Sequence, residues 1–349
     1  MSNPRAEKLI ERMMSRKKVD ALLFFGLENI RYLCGFTGSD GVLIVTGQER
    51  TFLSDFRYEE QARGEIREAN FRKYKQKIAG IAQFLKSLRV KRLGFESAAM
   101  TYETYHKLKE KLPRVSFVPL VGEMARMRAC KEPEELEKIR RAIQIGADSF
   151  TDALSRLKPG AKERAVAEFL EYRMKRRGGE KSSFDTIVAS GPRAALPHGR
   201  ATGKRIQKKE MVIVDFGARF QGYHSDETKT LIWGKPDAVQ RRIYDTVRRA
   251  QEKAMKTIRP GMSVRRIDAA AREAIALAGY GKFFGHGTGH GVGLAVHEEP
   301  SISSTGRGVV EEGMVFTVEP GIYIPGWGGV RLEDMVRVTD RGYEVLTIL

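Results

Sequence analysis

The sequence predicts an α/β domain followed by a second domain made of two similar helix-helix-strand halves. Three observations predict this. At 349 residues the chain is longer than one compact core usually holds. Up to about residue 125, helix-period and strand-period patterns take turns. Beyond that point a Pro-Gly helix stop recurs: Leu157-Lys158-Pro159-Gly160 returns as Ile258-Arg259-Pro260-Gly261, 101 residues on.

In order along the chain, Ala6 to Lys17 carries apolar residues at helical spacing (Leu9, Ile10, Met13, Met14) and runs into the apolar strand Ala21 to Phe25. A helix over Ile78 to Leu88 feeds a strand over Arg92 to Phe95, and a helix over Tyr102 to Leu112 precedes a strand over Val115 to Leu120. The pattern breaks near Arg126, and Glu132-Pro133-Glu134-Glu135 has the proline and acids of a helix start. The expected organisation is therefore a domain over 1–125, a linker over 126–132 and a second domain over 133–349. The helix opened at Pro133 should run to Leu157. Each Pro-Gly stop is then followed by an amphipathic helix ending near a glycine, Gly178 in one half and Gly279 in the other, again 101 residues apart. Such a duplication would set a site where the halves meet.

Composition narrows the function classes. Hydrophobic residues make up 41% and charged residues 30%, an ordinary globular balance. The longest apolar runs, such as Ala21 to Phe25 and Val42 to Val45, fall far short of the roughly 18 residues of a membrane span. Met1 to Arg16 is charged and has no secretion-signal pattern. Two cysteines, Cys34 and Cys130, are too few for a disulfide framework or a thiolate zinc site, so a cytoplasmic setting is expected. Lys and Arg exceed Asp and Glu by 62 to 44, a net charge of +18. The basic residues are scattered among acids, as around Asp245, and no RNA-binding aromatic motif accompanies them. Nucleic acid is therefore not the expected partner.

The chemistry lies in strand-borne acids. Asp215 sits within Met211-Val212-Ile213-Val214-Asp215-Phe216-Gly217, and Asp226 follows within Ser225-Asp226-Glu227-Thr228. A hairpin turning at Phe220-Gln221 would set the two carboxylates opposite each other on one face. One strand aspartate alone decides little; two forced together need a cation. Near the C-terminus Glu319 and Glu333 repeat the arrangement around a hairpin centred at Gly326. Between the hairpins, His286, His290 and His297 fall within twelve residues of glycine-rich sequence, half of the chain's six histidines. Histidines clustered beside four strand acids point to a metal site.

The contexts VDFG, SDET, GTGHGVGL, VEPGIY and VRLED resemble the metal-ligand motifs of the pita-bread metallopeptidases over residues 131–349, and Asn29-Ile30-Arg31-Tyr32-Leu33 to Gly38 resembles their creatinase-type N-terminal domain. The resemblance implies an α/β creatinase-like domain, then an α+β pita-bread catalytic domain with an internal pseudo-twofold repeat. It implies Asp215, Asp226, His290, Glu319 and Glu333 as ligands of two divalent ions, with manganese expected and cobalt, zinc or iron as alternatives. Asp226 and Glu333 would bridge both ions, Asp215 would cap one, and His290 and Glu319 would hold the other. A water acidified between the ions would attack a polarised carbonyl. His198, in Ala195-Leu196-Pro197-His198-Gly199, and His297, in Val296-His297-Glu298-Glu299-Pro300, would serve as catalytic donors or proton carriers, and Glu319 as a proton shuttle. His286 and Arg331 would support the ligands, while His106 and His224 look structural or exposed.

Creatinase lacks the metal set and methionine aminopeptidases lack the long N-terminal domain, so the resemblance points to the proline-specific branch, with dimerisation implied. The activity read first is removal of the residue before an N-terminal proline, as by aminopeptidase P. The alternative is an Xaa-Pro dipeptidase (prolidase), whose relatives often carry an arginine where Ser301 stands here. A third, distant reading is a non-catalytic binding module on the same fold, which the retention of all five ligand types opposes.

Overall fold

The computed structural model describes residues 4–349; residues 1–3 lie outside the described residues. The chain divides into compact units at Met127 and Arg128. In the first, six strands order as Asn70–Lys73, Arg50–Ser54, Val42–Thr46, Ala21–Phe24, Arg92–Glu96 and Ser116–Leu120. Ala21–Phe24 reads as a continuous apolar run because both its faces are covered. Leu22 and Phe24 pack with Ile10, Met13 and Ile30, whereas Ala21 and Leu23 pack with Ile81, Leu85 and Leu108. Its neighbours differ in sense, antiparallel to Val42–Thr46 and parallel to Arg92–Glu96, so the sheet is mixed. Strict helix and strand alternation does not hold here, because Val42–Thr46 and Arg50–Ser54 form an antiparallel hairpin. The Asn29 motif forms the helix Leu27–Cys34, ended by Gly35 at φ 83°.

In the second unit the helix opened by Pro133 carries a capping box between Glu132 and Glu135 and ends at Ala153, four residues before the expected stop at Leu157. The helix Glu123–Ala129 runs across the boundary of the two units, so residues 126–129 of the expected linker are helical. The duplication persists in the fold. Helices Glu163–Arg176 and Val264–Leu277 start and end 101 residues apart, and Gly160, Gly178, Gly261 and Gly279 all have φ between 82° and 95°. Each half has its own core. Phe150, Leu170, Val212 and Phe216 lie in the first, with Phe150 and Phe216 stacked at 4.8 Å; Ile243, Val247, Ile267 and Phe316 lie in the second. Among the described residues no helix is long and apolar enough to cross a membrane.

Candidate metal centre

Each half contributes one hairpin. In the first, Met211–Phe216 pairs antiparallel with Glu227–Ile232 so that Asp215 faces Thr228. The turn falls at Gln221 and Gly222, both with positive φ (46° and 81°), the geometry of a primed two-residue turn. That is one residue beyond the expected Phe220-Gln221, so Asp226 stands diagonal to Asp215, not opposite it. A partner shift of two residues preserves the face, and the carboxylates still converge. In the second hairpin Gly321 pairs with Arg331 and Val318 with Asp334, a register centred on Gly326, which sets Glu319 against Glu333. An isolated bridge between Thr228 and Glu333 joins the two hairpins, and Thr228 Oγ1 donates to Glu333 Oε2 at 2.6 Å.

His290 occupies the strand Gly289–Gly291, flanked by Glu298–Ile302 and Val315–Val318. A Cβ on Gly289 would stand 1.9 Å from the Thr317 carbonyl oxygen and one on Gly291 2.0 Å from that of Glu299, so the glycines serve close backbone approach. His290 Nδ1 lies 3.1 Å from the Gly291 carbonyl oxygen, which makes Nδ1 the protonated nitrogen. The lone pair of Nε2 is thereby left to face Asp226 Oδ2 at 3.6 Å and Glu319 Oε1 at 3.5 Å. Burial pushes the pKa of His290 down, which keeps the imidazole in its ligating, neutral form. One ligand atom each from Asp226, His290 and Glu333 lie within 4.8 Å of one another.

Arg331 is the counter-cation. Its Nη2 donates to Asp215 Oδ2 at 2.6 Å, its Nε to Thr228 Oγ1 at 3.0 Å, and its Nη1 to the Pro197 carbonyl and Tyr323 Oη at 3.0 and 2.9 Å. One guanidinium cannot balance four carboxylates. Burial first, then the neighbouring carboxylates, push Asp226 and Glu333 well above the usual carboxylate range, and burial pushes Glu319 up as well. Asp215 Oδ1 is buried without a hydrogen-bond partner. A buried, oxygen-rich cluster with an orphaned acceptor beside a neutral imidazole fits divalent cations.

The cluster opens into a cavity of about 480 Å³ lined also by His198, His286, His297, Ser301 and Arg200. His198 is exposed on the loop that follows the turn Gly191–Ala195, tethered through the Pro197 carbonyl to Arg331. The His297 ring centre lies 4.2 Å from that of His290. His286 spends both nitrogens on Gly287 O and Tyr323 Oη, at 2.7 and 2.9 Å, so it braces the site without facing the carboxylates as a ligand. His106 has an exposed side chain and His224 is buried in Tyr223–His224; neither lines the cavity. Tyr323 and Thr228 are the residues the sequence reading passed over. Both stand inside the quoted motifs, VEPGIY and SDET, but only the docking of one hairpin on the other shows what their hydroxyls hold.

Buried carboxylates converging with a neutral imidazole at the floor of an open cavity define a metal-dependent enzyme. The chain belongs to metallopeptidase family M24, which it matches over residues 137–340, and residues 5–130 match the creatinase/prolidase N-terminal domain. Divalent metal use follows from that membership. The chain is 39% identical to an Xaa-Pro dipeptidase of Pyrococcus horikoshii, over 99% of this chain and 97% of that one. A solved Xaa-Pro dipeptidase from Bacillus anthracis is 40% identical with a TM-score of 0.94, covering 99% of this chain and 98% of that one. An X-Pro aminopeptidase from Thermotoga maritima is 35% identical with a TM-score of 0.91, covering 98% and 97%. The fold expected from the sequence, creatinase-like domain and pita-bread domain, is thus the fold of its relatives.

Proposed function

We propose that the chain hydrolyses the bond before proline and that free Xaa-Pro dipeptides are its preferred substrates. The observation that carries the reading is the convergence of three buried carboxylates, Asp215, Asp226 and Glu333, with half-buried Glu319 and the Nε2 of His290 beneath a peptide-sized cavity. The named activities of the relatives support it and favour the dipeptidase alternative over the aminopeptidase read first. The aminopeptidase reading keeps one observation in its favour: Ser301, not an arginine, stands on the cavity wall.

In this reading two divalent ions would be held by Asp215, Asp226, His290, Glu319 and Glu333, with Asp226 and Glu333 the candidates for shared ligands, Asp215 for one ion, and His290 and Glu319 for the other. The donor set, four carboxylates and one imidazole, suits manganese. When bound, the ions supply Lewis acidity for water and for the scissile carbonyl. The rest is done by the chain. Arg331 orients Asp215, Thr228 orients Glu333, and the Gly291 carbonyl fixes the His290 tautomer. His198 and His297 face the cavity as donors to the developing oxyanion and as proton carriers to the departing prolyl nitrogen, with Glu319 able to shuttle a proton. Phe184, Ile187 and Pro197 form the apolar part of the wall and accept the pyrrolidine ring. A homodimer in the cytoplasm belongs to the same reading.

The function is tested by comparing cleavage of Ala-Pro with that of Ala-Pro-Ala by manganese-loaded protein. Preference for Ala-Pro is expected; preference for the tripeptide selects the aminopeptidase, and cleavage of neither rejects both. His198→Ala is expected to keep its metal content and lose about 100-fold in turnover, the scale of a lost transition-state donor. Elemental analysis beside the rate measurement checks it: loss of metal from this variant would move His198 into the ligand set.

A further inference from the structure

A dipeptide differs from every longer peptide in the carboxylate carried by its proline, and a site that prefers dipeptides needs a cation to meet it. Two arginines line the cavity, Arg200 and Arg331. Arg331 is buried, with 4% of its side chain exposed, and its donors are spent on Asp215, Thr228, Pro197 and Tyr323. Arg200 is the opposite case. Its side chain is 84% exposed, and its recorded partner is Asp185 at 3.4 Å, itself 79% exposed. An exposed pair of this kind holds weakly and exchanges readily for a better anion.

The base of Arg200 is fixed although its head is exposed. Glu163, fully buried, accepts from Arg193 Nε at 3.0 Å and from Thr202 N and Oγ1 at 3.2 and 2.8 Å. Arg193 Nη2 also donates to the carbonyl oxygen of Arg200. The segment that carries His198 and Arg200 is thus clamped on both sides of the arginine. Beside it lie Phe184, Ile187 and Pro197, the apolar wall on which a pyrrolidine ring would rest. A ring seated there would carry its carboxylate within the cavity that Arg200 also lines.

We infer that Arg200 is the specificity residue that grips the free carboxylate of an Xaa-Pro dipeptide, with Asp185 holding the guanidinium until substrate displaces it. The inference rests on the proline-peptide reading given above. It assigns the carboxylate grip to the loop after His198, since the position after the His-Glu-x-Pro motif is Ser301. A planar guanidinium offers a bidentate grip that a lysine ammonium cannot reproduce.

The test compares kcat/KM for Ala-Pro and for its amide, Ala-Pro-NH2, in manganese-loaded full-length protein. The two substrates share the scissile bond and differ in the terminal charge, so a general loss of fold or metal lowers both rates together and leaves their ratio alone. Arg200→Gln is expected to reduce the ratio of Ala-Pro to Ala-Pro-NH2 by tenfold or more, mainly through KM, and Arg200→Lys by less. Asp185→Asn, which removes the competing carboxylate, is expected to lower KM for Ala-Pro. An unchanged ratio in Arg200→Gln overturns the assignment, and so does a wild-type ratio near one, which would leave proline-peptide hydrolysis standing. Failure of the wild-type protein to cleave either substrate defeats the underlying reading instead.

Discussion

Asp226→Asn is expected to release both metal ions and to lower turnover of Ala-Pro by more than the 10- to 100-fold typical of losing a mere supporting partner of a ligand. Asp226 is buried 3.6 Å from His290 Nε2 and raised in pKa by burial and by the charges of Asp215 and Glu319. Neutralising it weakens the hold on two cations, whereas Asp215→Asn should weaken the hold on one. The same substitution should stabilise the metal-free protein at neutral pH. A carboxyl whose folded pKa lies above its unfolded value of about 3.9 leaves the native state unpenalised below that value, where both states are protonated; between the two pKa values the native state binds more protons and stability falls with rising pH. Its contribution is lost as pH rises toward the folded pKa. Asparagine has no such loss, so the metal-free variant should gain in Tm over wild type near pH 7 and lose that advantage in acid. Thermal melts in chelator at the two pH values, set beside metal analysis, check both halves. Retention of two ions and of near-normal turnover would end the case for a shared ligand.

Arg331→Met should be the most destabilising single change in the metal-free centre. It strips Asp215 Oδ2 of its cation while Oδ1 already lacks a partner, leaving a buried carboxylate with no compensation. Breaking a buried pair in this one-sided way costs about 3–5 kcal/mol. The loss reaches further, because the same guanidinium ties down Thr228, Tyr323 and the Pro197 carbonyl of the His198 loop. Bound cations would take over part of the compensation of Asp215. Chemical denaturation should therefore show a larger loss of stability in chelator than in saturating manganese. Equal losses in the two conditions would mean that Arg331 acts through packing alone.

The candidate cluster was legible because its carriers are local patterns, an acid inside an apolar strand, repeated in each half, and a histidine in a glycine-rich run; its assignment as a ligand set came from the family resemblance. The parity of a β-strand did the rest. The first turn lies one residue beyond its expected place, at Gln221-Gly222, yet Asp215 and Asp226 share a face because the slip moves each partner by two. Glycine at 222 was the available signal, since a primed turn needs positive φ there. The roles of Thr228 and Tyr323 were not legible, because each depends on how one hairpin docks on the other and not on any period within one strand. In the N-terminal domain the strand Asn70–Lys73 escaped notice for a different reason: it has no buried residue and so no alternation to read. Charge was equally uninformative from composition alone. A net +18 surrounds a centre whose chemistry is set by a local excess of negative charge.

Anomalous diffraction at the manganese edge, from crystals of the manganese-loaded protein, tests whether two carboxylates share a dinuclear centre. Two peaks per chain are expected, both within bonding distance of Asp226 and Glu333, one also touching Asp215 and the other His290 and Glu319. A single peak at full occupancy, or two peaks of which only one touches Asp226, would contradict the shared centre.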